Sequence, residues 1–235
     1  MVPKRVLIKI SGEAISGEND VFDSDIALKI CNNIKNVIDS GILVSVVIGG
    51  GNIIRGRDFL NENIISRETA DSIGMLATVM NGVLFRDIFK KIGVKSEVVS
   101  NLNLPFQIKN SDCFSVEKLI SENKLLIFVG GVAYPYFSTD TISVIAALLS
   151  KCDIILKATK TKGIYDKDPE IFEDATFIEK LTYEQAIEKN IKIMDQTAFS
   201  MAVANKHIPI YVFSIKEENC FINAIDKTIK MSVVE

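Results

Sequence analysis

The sequence predicts an α/β protein, a single-domain three-layer α/β/α sandwich with a largely parallel central sheet. Short runs that are apolar throughout alternate along the chain with longer segments of helical periodicity. Strands that are apolar on both faces are typical of a parallel sheet that helices cover on both sides. The length of 235 residues fits one domain, and no repeat, linker or low-complexity segment divides it.

The predicted elements follow one another in a regular order. Each predicted strand is a short run of aliphatic and β-branched residues, and each predicted helix has apolar residues three or four positions apart. Glycines end several elements, as Gly41 and Gly93 end the first two helices. The predicted strands are Arg5–Ile10, Leu43–Ile48, Val94–Val99, Leu125–Val129, Asp153–Lys157 and Ile208–Ser214. The predicted helices are Asp25–Ser40, Ser66–Ile92 (one long helix or a broken pair), Val116–Glu122, Asp140–Ser150, Thr182–Lys189 and Asp195–Lys206. Residues 101–115 are predicted as a loop, and residues 163–178 as a loop with a hairpin.

The composition excludes several classes of function. The 27 Lys and Arg residues against 30 Asp and Glu residues give a net charge of -3, which argues against a nucleic-acid binder held by global charge. A single histidine, His207, excludes a multi-histidine metal site, and its place before a strand favours a structural or surface role. Four cysteines without a C-x-x-C pair indicate reduced, mostly buried thiols; they are Cys31, Cys113, Cys152 and Cys220.

The hydropathy of the chain calls for a search for membrane segments. The mean hydropathy is +0.24, yet the apolar stretches Ile42–Ile48 and Leu125–Val129 are far shorter than the roughly 20 residues of a spanning helix. Lys9 interrupts the apolar run near the N-terminus, so no signal peptide is predicted. We therefore expect a cytoplasmic protein.

Glycines and cations follow four predicted strands. These segments are Lys9–Gly12, Gly49–Asn52 with Arg55 beyond it, Gly130–Asp140 and Lys157–Lys160. Ligands of a parallel sheet gather at the carboxyl ends of its strands, and glycine-rich turns direct backbone N–H groups at phosphates. The P-loop pattern and the dinucleotide-binding fingerprint are both absent from the sequence. A tight turn between strand and helix would require the same glycines, so both interpretations stay open.

Charged and hydroxyl side chains at these ends indicate an anion site. Lys9 lies within a buried strand, which is costly unless an anion meets it, although a lysine on an edge strand would reach solvent. Arg55 could bind an anion through its guanidinium or lie on the surface. Ser138-Thr139-Asp140 opens a helix, where Asp140 would cap the helix or orient a lysine. Cations and glycine turns at one sheet edge favour phosphoryl transfer, which depends on positioning and charge neutralisation.

Seven segments also resemble one known family. They are Lys9–Ala14, Val46–Gly56, Gly74–Gly82, Pro135–Asp140, Leu156–Lys160, Gly163–Pro169 and Lys192–Ala198. In order and content they resemble the bacterial-type UMP kinases (uridylate kinases) of the amino acid kinase superfamily. The second and third segments separate this group from relatives that act on carbamate, acetylglutamate or aspartate.

The resemblance implies an activity and a set of site residues. It implies transfer of the γ-phosphoryl group of Mg²⁺-bound ATP to UMP, with residues 1–140 on the acceptor side and residues 141–235 on the ATP side. The catalytic residues would be Lys9, Arg55 and Asp140. The ATP-binding residues would be Lys9, Ser11, Gly12, Gly51, Arg55, Lys157, Thr159, Tyr165 and Asp168. The UMP-binding residues would be Gly50, Arg55, Asp71, Val132, Ala133, Tyr134, Pro135, Tyr136, Phe137, Ser138 and Thr139. No direct protein ligand to Mg²⁺ is expected, because ATP carries the metal.

The resemblance also implies assembly and regulation. The family is typically a homohexamer that GTP activates and UTP inhibits. The helix around Met75–Phe89 could form a subunit contact and Arg86 an effector contact, although core packing and a surface arginine would account for both equally well. The sequence departs from the family at Val21-Phe22-Asp23, at Val132-Ala133-Tyr134 and at Lys162. Two alternatives remain: a superfamily enzyme with another acceptor, such as carbamate or an acylamino acid, and a nucleotide sensor or storage protein without turnover.

Overall fold

A computed structural model gives the architecture of the chain. It describes residues 2–18, 20–54, 65–105, 107–189, 191, 193–205 and 208–235. The strands are β1 (Arg5–Ile10), β2 (Leu43–Ile48), β3 (Ser96–Ser100), β4 (Lys109–Asn110), β5 (Leu125–Val129), β6 (Ile154–Thr159), β7 (Ile164–Tyr165), β8 (Phe177–Ile178), β9 (Lys180–Leu181), β10 (Ile210–Ser214) and β11 (Met231–Val234). The helices are α1 (Ser24–Asp39), α2 (Arg67–Lys91), α3 (Cys113–Ser121), α4 (Thr139–Leu149), α5 (Tyr183–Glu188), α6 (Gln196–Ala204) and α7 (Cys220–Ile225).

One large sheet organises the fold. Within the described residues it has nine strands in the order β4-β3-β5-β2-β1-β6-β10-β11-β9. All neighbouring strands pair in parallel except β10 and β11, so the prediction of a largely parallel sheet is confirmed. The antiparallel pair β7–β8 forms a separate hairpin inside the segment predicted to contain one. The carboxyl ends of β1, β2 and β6 lie side by side at the centre of the sheet.

Two apolar cores fill the space between this sheet and its helices. On one face, the side chains of Val6, Ile8 and Ile10 pack with α1, α2 and α7. On the other face, Leu7 and Val47 pack with α3, α4, α5 and α6. Alternate residues of each central strand therefore enter opposite cores, as they must when both faces are covered. The three-layer α/β/α prediction is confirmed.

The main differences from the predicted elements are local. The segment predicted as a long helix or a broken pair is one helix, α2, whose N-terminus Ser66 caps by accepting from the Thr69 N–H. Helix α3 begins at Cys113, inside the predicted loop, because Asp112 caps it. The sequence analysis assigned no element after Ser214, where the structure has α7 and β11.

Three of the four thiols and one face of the longest helix are buried in the cores. The thiols of Cys31, Cys152 and Cys220 are free and buried, as predicted, whereas Cys113 is exposed. Burial raises the pKa of Cys152 and of Cys220 to about 12. The 25 residues of α2 are long and apolar enough to span a membrane by length and composition, which the sequence search overlooked. This helix packs on the sheet through the buried Phe85 ring, and a core helix meets the same two criteria.

Candidate active site

Lys9 and Lys157 are neighbours near the carboxyl ends of the two central strands. Because β1 and β6 pair with Lys9 opposite Lys157, both side chains leave the same face of the sheet. Only 8% of Lys9 and 6% of Lys157 is exposed. Two buried ammonium groups repel each other, and each requires an anionic partner. The prediction that Lys9 lies on a buried strand is confirmed.

The carboxylate that meets both lysines belongs to Asp140, in the first turn of α4. Its Oδ1 atom lies 2.9 Å from Lys157 Nζ and 3.2 Å from Lys9 Nζ. Burial by itself would raise the pKa of Asp140, but the two ammonium groups outweigh burial and the pKa lies below its ordinary value. Burial and the charge of Lys9 lower the pKa of Lys157 to about 8, and the Lys157 ammonium also donates to the carbonyl of Ile193.

These three side chains form what we call the lysine–carboxylate centre (Lys9, Lys157 and Asp140). With both lysines protonated, the centre has one positive charge in excess, set at the end of a parallel sheet. That charge is largely removed from water and is therefore weakly screened. The arrangement suits a phosphate group more than a neutral ligand.

Asp195 holds the helix that carries Asp140. Asp195 was not among the predicted site residues. Its carboxylate caps α6 by accepting from the Ala198 N–H at 2.8 Å. The same carboxylate accepts from the hydroxyls of Thr141, at 3.0 Å, and of Ser138. Ser138, and not Asp140, caps α4, since its hydroxyl accepts from the Asp140 N–H at 2.9 Å. The prediction that Asp140 orients a lysine is thus supported by contacts, and the helix-cap alternative is wrong.

The glycine turns after β1 and β2 pack directly against each other. A Cβ on Gly12 would lie 2.5 Å from the Gly51 nitrogen and 2.8 Å from the Gly49 carbonyl oxygen. A Cβ on Gly50 would lie 2.7 Å from the Cβ of Ala77 on α2, whereas the atom nearest to a Cβ on Gly51 would be Glu13 Cγ, at 3.6 Å. Close packing therefore accounts for the absence of side chains at Gly12 and Gly50, and it leaves room only at Gly51.

Two asparagines and a threonine connect α2 to the glycine turns after β2 and β5. None of the three was among the predicted site residues. The buried Asn81 amide donates to the Gly49 carbonyl at 2.7 Å and to the Asn52 side-chain oxygen at 2.7 Å. Thr78 accepts from the Gly130 N–H at 2.7 Å. A buried polar residue in an otherwise apolar helical face was the available signal, but its partners are distant in sequence and cannot be read from a pattern.

The loop over residues 132–139 connects the end of β5 to α4 and faces the N-terminal part of α2. Its aromatic side chains Tyr134, Tyr136 and Phe137 are exposed. The Tyr136 N–H donates to Asp71 at 2.7 Å. The structure thus brings together Asp71 and the loop that the resemblance assigns to UMP.

The residues assigned to the nucleoside of ATP lie at the end of β6, on β7 and beyond it. Thr159 ends β6, Tyr165 lies in β7 with its ring 5.5 Å from that of Phe177, and Asp168 accepts from the Glu170 N–H at 2.9 Å. Within the part of the chain that the structure describes, no hydrogen bond or ion pair joins them to the lysine–carboxylate centre. Their role in ATP binding stays a prediction.

Two predicted residues cannot be placed, and a third lies on α2. Arg55 and His207 lie outside the described residues. Arg86 lies on α2, 15 residues beyond Asp71 and therefore about 22 Å along the helix axis from it. There it lines a cavity of about 710 Å³ together with Lys90 and Lys95.

The fold and the site together define a class of protein, and similar proteins belong to the same class. A parallel sheet with buried cations and glycine turns at the strand ends defines an α/β protein that binds an anionic ligand. Residues 4–214 match the sequence model of the Amino acid kinase family, so the chain belongs to that family.

Individual relatives are similar over almost their whole length. The chain is 39% identical to a uridylate kinase of Campylobacter jejuni subsp. doylei over 223 residues, which cover 94% of this chain and 93% of that protein. It is 40% identical to a uridylate kinase of Sulfurovum sp., with 92% of each covered. Its fold is similar to that of UMP kinase from Ureaplasma parvum, with a TM-score of 0.92, 32% identity and 100% of both chains covered.

Proposed function

We propose that this protein is a nucleoside monophosphate kinase that transfers the γ-phosphoryl group of ATP to UMP, giving UDP and ADP. The observation that carries the proposal is the lysine–carboxylate centre at the ends of β1 and β6, in a chain whose relatives are uridylate and UMP kinases. Such transfer builds negative charge on the oxygens of the group in flight, and buried cations stabilise that charge.

The chemistry needs positioning more than proton transfer. The accepting oxygen belongs to a phosphate, which is already ionised at neutral pH, so no general base is required. Lys9 would stabilise the transferring group and Lys157 the phosphates of ATP. Asp140 would hold both ammonium groups in place, and Arg55 would bind phosphates of both substrates. The chain's single histidine is no obstacle to this reaction.

The two substrates would approach the centre from different elements. Ser11, Gly12 and Gly51 would contact the ATP phosphates, while Thr159, Tyr165 and Asp168 would surround its adenosine. Gly50, Asp71 and the loop over residues 132–139 would hold UMP, with residues 1–140 forming mainly the acceptor side. The contact between this loop and Asp71 supports the acceptor assignment.

Mg²⁺ would enter with ATP. Among the described residues, no group of three or more His, Cys, Asp or Glu side chains is placed to hold a metal ion. Phosphate oxygens and water are the usual ligands of Mg²⁺ in such sites, and the ion supplies charge neutralisation on the β- and γ-phosphates.

Assembly, regulation and location follow from the family. Exposed Leu76 and Met80, one turn apart on α2, support a subunit contact. The resemblance to the family adds the expectation of six identical subunits and a cytoplasmic location. The cavity at Arg86, where four basic residues outnumber the acidic Asp87 and Glu97, supports an effector site for GTP, and UTP would inhibit. Sedimentation showing a monomer at working concentration would refute the hexamer, and an unchanged rate with added GTP or UTP would refute regulation.

A substrate panel tests the proposed function. ADP release would be followed with UMP, CMP, dUMP, AMP, carbamate and acetylglutamate as acceptors. We expect turnover with UMP alone. Turnover with carbamate or acetylglutamate instead would identify a different kinase of the superfamily, and ADP release with none of the six would identify a nucleotide-binding protein without this activity.

A further inference from the structure

The loop between β5 and α4 runs along one face of α2. Its start is fixed where the Gly130 N–H donates to Thr78, and Gly131 next faces the side chain of Met75. Further on, the Tyr136 N–H reaches Asp71. Positions 78, 75 and 71 are three or four residues apart, so they lie on one face of the helix. The loop is therefore fitted to α2 over about two turns of the helix.

The exposed part of this fit involves one tyrosine and three residues of the first turns of α2. The Tyr136 N–H donates to Asp71 Oδ2 at 2.7 Å, and its hydroxyl donates to Glu68. The Arg67 guanidinium lies over the Tyr136 ring, 4.9 Å from its centroid, and its Nε is 3.7 Å from Asp71 Oδ2. We call this group the Tyr136 clasp (Arg67, Glu68, Asp71 and Tyr136).

The loop needs such contacts because its backbone is strained. Ala133 and Tyr136 have φ angles of +65° and +73°, in the left-handed region that side chains disfavour. Conformations of this kind persist only when surrounding contacts impose them, and they recur where a site is organised in advance for its ligand. The clasp supplies the contacts at Tyr136.

We propose that the Tyr136 clasp is a positioning device for the acceptor nucleotide and that the Tyr136 hydroxyl is the residue-specific part of it. This inference rests on the proposed function. The clasp holds the loop in the shape that receives UMP, and it fixes Asp71 through one carboxylate oxygen. Among the described residues, none donates a hydrogen bond to the other oxygen, Oδ1, which can therefore accept one from a ribose hydroxyl.

The clasp should affect acceptor binding and leave turnover almost unchanged. The far end of the loop has its own anchor, because Ser138 and Thr141 donate to Asp195. Loosening the loop at Tyr136 therefore leaves Asp140 beside its lysines. The cost falls on ordering the loop when UMP binds, which raises KM for UMP.

The test combines single and double variants. In Tyr136→Phe and in Glu68→Ala we expect KM for UMP to rise about three- to tenfold, the range for one hydrogen bond. In Glu68→Ala, which changes no residue assigned to either substrate, we expect kcat and KM for ATP to stay within about twofold of wild type. The double variant should be no worse than either single variant, since both remove the same contact. Glu68→Gln keeps an accepting oxygen and should restore most of the affinity. Glu117→Ala, which removes an exposed helical glutamate paired with Lys151 far from the loop, is the matched control.

Hydrogen exchange reads the clasp without any activity. The amides of residues 131–137, apart from Pro135, which has none, should exchange faster in Tyr136→Phe and in Glu68→Ala than in wild type and in Glu117→Ala. Unchanged exchange would overturn the clasp itself. Faster exchange with an unchanged KM for UMP would overturn its role in acceptor positioning. So would a rise in KM for ATP, or a fall in kcat, in Glu68→Ala as large as the rise in KM for UMP. Absence of UMP turnover in the wild type would instead overturn the proposed function, and with it the identity of the acceptor.

Discussion

The lysine–carboxylate centre and the Tyr136 clasp both join charged groups near the carboxyl ends of the parallel strands, but they differ in burial. Lys9 and Lys157 lie on central strands with less than a tenth of their surface exposed, whereas Tyr136 is 54% exposed on a loop. The centre is held by the sheet register and two helix termini, and the clasp by contacts to one helix face. The scaffold of each region therefore determines how strongly its contacts stabilise bound charge.

The difference follows from the surroundings of the charges. Charges in the buried centre interact strongly because little water screens them, and a partner removed there leaves an uncompensated ion. Contacts of the clasp compete with water and contribute less each. The centre is therefore suited to stabilising charge during phosphoryl transfer, and the clasp to adjusting how a substrate is received.

Removing a charge of the centre should produce the largest effect. In Lys9→Ala and in Asp140→Ala we expect turnover to fall at least about a hundredfold, the scale for losing one preorganised electrostatic contact. Lys160→Ala is the control, because this lysine follows β6, the strand of Lys157, but pairs with Glu13 and has half of its side chain exposed (49%). Steady-state kinetics would measure turnover, with circular dichroism as a check on folding. Near-normal turnover in a folded variant of Lys9 or Asp140 would remove the distinction between the two regions.

A pair of glycine variants tests whether the buried region depends on close backbone packing. Gly12→Ala should lower the free energy of unfolding by about 1–3 kcal/mol, the usual cost of overpacking, because its Cβ would lie 2.5 Å from the Gly51 nitrogen. Gly51→Ala meets nothing closer than 3.6 Å and should change stability by less than about 1 kcal/mol. Urea unfolding measures both. Equal losses in the two variants would contradict the packing explanation.

The pH profile of the centre tests its coupling to Asp195. Lys157 has its pKa lowered to about 8 by burial and the charge of Lys9, against which Asp140 and Asp195 act. Lys157 therefore loses its charge as pH rises through about 8, and kcat/KM for ATP should fall on that alkaline side. Asp195→Asn should move this fall to lower pH, with a loss at alkaline pH below about tenfold, the factor of one pKa unit.

The control for this profile is Asp174→Asn, which removes an exposed carboxylate paired with Lys167. Its alkaline limb should coincide with that of wild type. An alkaline limb that does not move in Asp195→Asn would mean that the carboxylate acts only through the helix caps. The effects at the clasp, of threefold to tenfold in KM, complete the series with the smallest change in turnover.

Much of the fold could be predicted because burial leaves a local signature. Continuous apolar runs identified β1, β2 and β5, and Lys9 within such a run pointed to an anionic partner. The sequence alone did not identify Asp140 as that partner, because an aspartate at a helix start could either cap the helix or orient a lysine. The short edge strands and α7 lack a distinctive pattern, because a few residues next to a sheet edge need no periodicity of their own.

The contacts around the site could not be predicted in the same way. Asp195 reaches Thr141 across more than fifty positions, and Asn81 reaches Gly49 across more than thirty. Hydroxyls and amides of this kind are common in sequences, and only the packing of α2, α4 and α6 on the sheet brings them together. The resemblance located the acceptor loop, but the contact of Tyr136 with Glu68 depends on the placement of two surface side chains.

Transfer of a phosphoryl group from ATP to UMP at the lysine–carboxylate centre can be followed with a label. The protein is incubated with UMP and with ATP labelled in its γ-phosphate, and the products are separated. We expect label in the β-phosphate of UDP, formed by wild type and reduced at least about a hundredfold in Asp140→Ala. Label that stays in ATP, appears only as free phosphate, or reaches UDP equally fast in Asp140→Ala would contradict this expectation.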